Sequence, residues 1–532
     1  MVTLARPEDN GADRTAKRVS VAILDEKEHE RLAEFLISGF NVLLPSLIKD
    51  LNFSPEAKTW PSSVFSLVAG AFLLPFGRLS DMYGAFPVFL AGNMWMATWS
   101  LIGGFSQNYV MLVVCRALQG LSPGTAAFLP SGISLLGSVY RPGRRKNIVF
   151  SLYRGCAPFG FFSGILVAGV SGQYLRWSWF FWIGCILLTI VCLLIFFCVP
   201  REMHPARMPM DWWGCGTSIP GLMLLVYAIT DSPHVEKGWA SPRILVTFLL
   251  GIIFLAAFVY VEGWVSPAPL LSGPLFAPKY TVALFCCLFI AFGSFGVYLL
   301  YASLYIETIL HIEPLLAAAW FAPLAIGGIV IAIVGSVILH RLTSTILLIL
   351  SVTGFLASSL LLIFIPRDPN YWAWVFPAMT CATIGIDIVY NVSNIFITTS
   401  MKSDQQGMAG ACVNGLLYSG MSFFLGWADL ASVAGAPDDL EFGYRIALMM
   451  GAGCAGVSIL IIIFGIRVGK AKGDMTADER EELERVGAVG SDSTLRQGNE
   501  GSHKGRAKCM QTSLDVSGME QIIHVEKDIR NS

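Results

Sequence analysis

Arg116 sits about seven residues, roughly 10 Å, inside an apolar run that begins near residue 109. A guanidinium at that depth in hydrocarbon is costly unless it meets a partner or a wet cavity, so it carries a functional reading by default. Gln119 and Gly120 follow at i+3 and i+4, on the same helical face. Two readings stand for Arg116: a charge that works in a polar pathway, or a cross-link between neighbouring helices. A second set occupies a later run, where Asp387, Asn391, Asn394 and Thr398 are spaced i, i+4, i+7 and i+11, with Tyr390 beside them. Such a stripe faces a water-filled cavity or a hydrogen-bonded helix seam rather than lipid. These groups can bind a polar solute and exchange a proton. The chain has no Walker motif, no nucleotide-binding segment and no plausible catalytic triad, so it reads as no enzyme, with energy drawn from an ion gradient or from a solute.

The elements that position these residues are membrane spans. The chain has 532 residues, 55% apolar and 14% charged, with a mean hydropathy of +0.63. That balance is far from a soluble globular domain, where about a quarter of residues are charged. About fourteen apolar runs recur from residue 33 to 466, most of them long enough to cross a hydrocarbon core of about 30 Å. A formal net charge of −1 argues against a nucleic-acid partner. Of the 12 cysteines only Cys509 lies in a polar segment, and no Cys/His cluster suggests a metal. Arg141, Arg144, Arg145 and Lys146 lead a roughly two-to-one excess of basic residues in alternate loops, which places both termini in the cytosol. The polar stretch after Lys472 has too few apolar residues to build a core. Asn52 opens a weak glycosylation sequon in the first outside loop.

Two further segments punctuate the spans. G-R-L-S-D-M-Y-G runs from Gly77 to Gly84, where Gly77 permits close helix approach, Arg78 and Asp81 are polar, and Gly84 supplies a tight turn. G-C-A-P-F-G-F-F-S-G-I-L-V-A-G runs from Gly155 to Gly169, with Pro158, Gly160 and Gly164 favouring tight packing and a freed carbonyl. The first segment resembles the signature G-x-L-x-D-[RK]-x-G-[RK]-[RK] of the major facilitator superfamily, matching at Gly77, Leu79, Asp81 and Gly84 and departing at Met82, Ala85 and Phe86. Arg116, Gln119 and Gly120 resemble the R-x-x-Q-G motif of drug:proton antiporters. The Gly155 to Gly169 run resembles the antiporter motif of exporters, although glycine packing alone gives the same pattern. Leu175 to Trp182 and the stretch from Gln405 to Gly410 resemble fourteen-span exporters, the latter those of fungal secondary metabolites and toxins. Asn41 to Pro45 reads N-V-L-L-P against an expected N-V-A-L-P, and Leu36 stands where that family has an acidic residue.

What the resemblance implies is an all-α major facilitator fold of two six-helix bundles plus two inserted helices. The boundaries are a cytoplasmic segment over 1–32, a bundle over 33–199, the additional helices over 200–262, a bundle over 263–466 and a disordered cytoplasmic tail over 467–532. It implies efflux of a toxin, drug or secondary metabolite by proton antiport, from the plasma membrane or alternatively a vacuolar or vesicle membrane. Arg116 and Asp387 are then the coupling residues, and Gln119, Asp387, Asn391 and Asn394 the cavity residues. Gly77, Arg78, Asp81, Gly84, Gly120, Pro158, Gly160 and Gly164 belong to gating or packing motifs. The expected partners are a small solute, protons and the bilayer, with no nucleotide, metal or other cofactor. The rivals are a proton-coupled uptake symporter for an iron chelate or organic acid, and a transporter-like sensor.

Overall fold

The structure is a computed structural model that describes residues 34–51, 53, 58–122, 144–198, 209–271, 273–276, 279–400 and 406–466. The charged N-terminal segment, the remainder of the fourth run, the sequon at Asn52 and the polar tail lie outside the described residues. Helices α1 (34–50), α2 (Trp60–Tyr83), α3 (Ala85–Gly103), α4 (Tyr109–Gly120), α5 (Arg144–Gln173) and α6 (Ser178–Cys198) come first. After them come α7 (Trp212–Asp231) and α8 (Pro242–Tyr260). The remainder are α9 (Thr281–Leu304), α10 (Pro314–Trp320), α11 (Ala322–Arg341), α12 (Ser344–Ile363), α13 (Val375–Ser400), α14 (Gln406–Gly435) and α15 (Leu440–Gly465). No strand occurs among the described residues. In hydrocarbon every backbone polar group must be satisfied within the segment, which leaves the helix as the form these apolar runs adopt.

Among the described residues, 10 helices are long and apolar enough to cross a membrane. At the other predicted positions stand α1, α3, α4 and α5. The turn after α2 is set by Gly84, whose φ of 91° favours glycine and whose N–H donates to the Ser80 carbonyl at 2.8 Å. Side-chain caps start three helices: Asn108 accepts from Met111 N–H, Asp211 from Gly214 N–H and Asp439 from Phe442 N–H.

Packing sorts the helices. α3 lies on α6 and α2 on α4, while α12 lies on α13 and α15, and α9 on α14 and α15. The two groups meet along α2 and α14, and along α5 against α10 and α11. α7 covers both α2 and α14, whereas α8 packs mainly on α7, through Gly221 against Leu255 and Gly251 against Leu225. In α8 only Ile244 and Gly251 are buried, while Leu245, Val246, Leu249, Leu250, Ile252, Ile253 and Val259 face outward. An outward apolar surface on a polytopic chain is the lipid face.

Candidate functional site

Arg116 is 1% exposed on the face of α4 that meets α2. Its Nη1 donates to the Leu36 carbonyl at 3.3 Å and to Gln119 Oε1 at 3.0 Å, and its Nε to the Pro61 carbonyl at 3.4 Å. The guanidinium carbon stands over the rings of Phe40, at 4.1 Å, and Phe65, at 4.6 Å, so cation–π attraction supplies part of what water would. None of the ion pairs among the described residues involves Arg116. Gln119 is wholly buried, and its Nε2 passes the chain on to Ser100 Oγ of α3 at 3.0 Å. A side chain at Gly120 would strike the Phe65 carbonyl. The three residues therefore act as one contact, joining α1, α2 and α3 to α4.

Helix α5 makes the next seam. Ser38 Oγ donates to the Phe161 carbonyl at 2.7 Å, and Gly39 and Gly164 bring the backbones of α1 and α5 together. A Cβ on Gly164 would stand 2.6 Å from the Phe35 Cα, so only glycine fits. Gly160 is buried, and its carbonyl accepts from Ser163 Oγ at 2.8 Å. The opposite side of α5 reaches the second group of helices: Pro158 lies against Gly328 of α11, and Gly169 against Pro314 and Ala318 of α10. Gln173 fixes that contact by donating to Glu313 Oε2 at 2.7 Å while accepting from Leu315 N–H at 3.0 Å.

The stripe on α13 lies just beyond this seam. A Cβ on Gly328 would stand 3.1 Å from Asp387 Oδ2, so Pro158 and Asp387 flank the same point of α11. Asp387, Asn391 and Asn394 are half-buried, whereas Val389 and Val392 are buried. The asparagine amides turn back to the carbonyls of Asp387, at 2.7 Å, and Tyr390, at 3.0 Å. Tyr390 OH donates to Asn414 Oδ1 at 3.3 Å and ties α13 to α14. Arg116 and Asp387 are thus seated on different helix groups. Gly77 and Arg78 lie near the end of α2, with Asp81 one turn on; Arg78 donates to the carbonyls of Pro209 and Ala268, which flank α7 and α8.

One cluster was not singled out in the sequence. Asp429 of α14 is fully buried and accepts from Thr59 Oγ1 at 2.8 Å, with His234 Nε2 at 2.7 Å and Tyr301 OH at 3.5 Å. Lys58 stands 4.6 Å over the Tyr444 ring; its burial lowers its pKa, and the Asp429 carboxylate works against that shift. An acid near the end of an apolar run was the available signal, but its partners come from four other parts of the chain. Among the described residues no group of three or more His, Cys, Asp or Glu side chains could hold a metal ion.

The site thus consists of a buried arginine with no carboxylate in its ion-pair reach among the described residues, a glycine-rich helix on the border of two helix groups and a polar stripe beside it. The Major Facilitator Superfamily model matches residues 32–426. The chain belongs to this family. It is a multi-pass membrane transporter and not an enzyme. It is 32% identical over 416 residues to the "Low affinity ammonium transporter" of Saccharomyces cerevisiae, covering 76% of this chain and 79% of that protein. It is 31% identical over 419 residues to "Efflux pump terJ" of Aspergillus terreus, with the same coverage. In fold it is similar to the peptide transporter POT crystallised with sulfate, with a TM-score of 0.61 at 15% identity, over 84% of this chain and 94% of that one.

Proposed function

We propose that this transporter is a secondary active exporter of a small organic molecule, a toxin, drug or secondary metabolite, driven by proton antiport with no bound cofactor. The observation that carries the reading is α5: its Gly155 to Gly169 run has the antiporter pattern, and Gly164 and Pro158 place it against both α1 and α11. The similarity to an efflux pump supports the same direction. On this reading α1–α6 and α9–α15 form two bundles that rock about a shared cavity, α7 and α8 are the insertion, and both termini face the cytosol. Asp387 takes up and releases the coupling proton, Asn391 and Asn394 line the path, and Arg116 keeps α1, α2 and α4 in one block. The plasma membrane is the proposed location.

Similarity to an ammonium transporter keeps uptake as the second reading. Metabolite profiling of cells and medium after deletion separates the two. Export predicts accumulation of an organic solute inside with loss outside, and depletion inside overturns it.

A further inference from the structure

Asn41 and Pro45 of α1 are four residues apart and belong to neither the Arg116 contact nor the α13 stripe. A proline has no N–H, so the Asn41 carbonyl is without the i+4 donor that a helix ordinarily supplies. Its partner comes from the other group of helices: Ser303 Oγ of α9 donates to it at 3.1 Å, while Asn41 Oδ1 accepts from Ser62 Oγ of α2 at 2.9 Å. Asn41, Ser62 and Ser303 are all buried, where an unpaired carbonyl is strongly disfavoured. One turn on, α9 passes into a π-helical turn over Tyr305–Ile309, in which Leu310 N–H donates to the Tyr305 carbonyl at 3.1 Å. Such turns are rare and recur at functional sites. This one carries Glu307, whose Oε1 lies 3.3 Å from the same Ser303 Oγ.

We propose that Glu307 is a proton-binding residue at the outer end of the transporter, neutral while α1 and α9 are joined through Asn41 and Ser303 and ionised once they part. A serine hydroxyl has one proton to give. That proton is committed to the Asn41 carbonyl, so the contact between Ser303 Oγ and Glu307 Oε1 takes its proton from the acid: Glu307 donates to Ser303, and Ser303 to Asn41. Without the acid's proton, either two oxygens face each other with lone pairs or the serine turns from Asn41 to the carboxylate. Both outcomes weaken the join. Joining therefore binds a proton, and by linkage a lower pH favours the joined state. The charge that faces Glu307 is that of Lys49 at the end of α1. It favours the ionised form, but its side chain is exposed and its field is screened by water. The remaining titratable groups around the turn are engaged elsewhere. Arg445 and Glu441 of α15 pair at 2.9 Å and both bond Tyr305, while Tyr444 of the same helix bonds Thr308. Tyr301 of α9 meets Asp429, Glu313 before α10 accepts from Gln173, and His311 lies in the link from the turn to α10. On the proposed orientation Glu307 is on the outer side and half-buried, within reach of a proton from outside.

The inference rests on proton-coupled alternating access but not on export, so it is tested by conformation and needs no known solute. Gln107→Cys and Asp438→Cys, at exposed outer positions in a full-length background without native cysteines, carry spin labels on the two helix groups. Distances are measured by pulsed electron resonance in nanodiscs at pH 5 and pH 8. The parent protein should hold a short distance at pH 5 and gain a longer one at pH 8, the ratio of long to short rising about tenfold, within what one linked proton allows. Glu307→Gln, whose amide donates to Ser303 at every pH, should keep the short distance at both. Ser303→Ala removes the relay, and Pro45→Ala returns an N–H to Asn41 and frees the serine proton for the carboxylate; each should cut the rise to about threefold. A parent without a pH response, or a Glu307→Gln protein that keeps the parent's response, overturns the proposal. Should Glu307→Gln fail to fold, a parent-like response in both Ser303→Ala and Pro45→Ala overturns it equally. Metabolite profiling that excludes export leaves these distances unaffected, whereas a flat pH response beside intact proton-driven export removes Glu307 and leaves the exporter reading standing.

Discussion

Arg116 and Asp429 are both withdrawn from water, yet they are held in opposite ways. Arg116, in the first group of helices, meets two backbone carbonyls, one amide oxygen and two aromatic faces, all neutral. Asp429, in the second, meets a hydroxyl, a histidine and the field of a lysine. A charge held by neutral dipoles leaves unpaired acceptors but no uncompensated charge when it is removed, whereas one that faces a buried lysine leaves that charge behind. The first arrangement joins neighbouring helices of one group, and the second ties together parts of the chain far apart in sequence.

The largest expected effect tests that difference directly. Asp429→Leu should lower stability by about 3–5 kcal/mol, because Lys58 and His234 keep their burial and lose their partner. Arg116→Met, which leaves only Gln119 Oε1 and two carbonyls short of a donor, should cost about 1–2 kcal/mol. Thermal unfolding in detergent measures both, and equal losses break the comparison. At Arg116 the loss should fall on transport rather than on insertion: the alanine variant inserts normally yet loses proton-driven export. Lysine is a partial substitute only, since it lacks the planar fork that reaches Leu36, Pro61 and Gln119 together. Normal flux in a well-expressed Arg116→Ala protein would reduce the residue to a packing element.

A smaller effect concerns the seam beside the arginine. Gly164→Val should destabilise by about 1–3 kcal/mol, since its Cβ meets backbone that has no rotamer to change. Gly453→Ala, with nothing within 4 Å of the new carbon, serves as the control and should be neutral or slightly stabilising. Smallest is a difference in labelling rates along α13. Cysteines at Asp387, Asn391 and Asn394 should react with a polar thiol reagent about tenfold faster than cysteines at Val389 and Val392, because these positions lie on another face of the helix. Equal rates would remove the wet stripe. Asp387→Asn should flatten the pH dependence of export, since the amide keeps the shape and cannot titrate.

How much of this was legible depends on where the partners stand in the chain. Arg116, Gln119 and Gly120 lie within one helical turn, so their shared face followed from spacing. The α13 stripe followed in the same way, and Gly84 was marked by a turn that favours its residue type. Leu36 shows the limit: the acid expected there is missing, and the structure supplies the Leu36 carbonyl to the arginine instead, a group every residue carries and no sequence pattern reveals. His234 and Asp429 are 195 residues apart, and no local period links them. Described α4 ends at Gly120, and the remainder of that run lies outside the described residues.

The crossing of α1 and α5 has one more consequence. Where Gly39 and Gly164 meet, main chain rests on main chain, with no side chain between them to adopt a second rotamer. Sliding either helix by one residue would drive Ser38 or Ser163 into the other's backbone. The crossing therefore behaves as a keyed joint, registered along the helix axes, and α1 and α5 travel as one piece. Whatever displacement the transporter undergoes must be taken up on the opposite flank of α5, where Pro158 and Gly169 rest on α11 and α10.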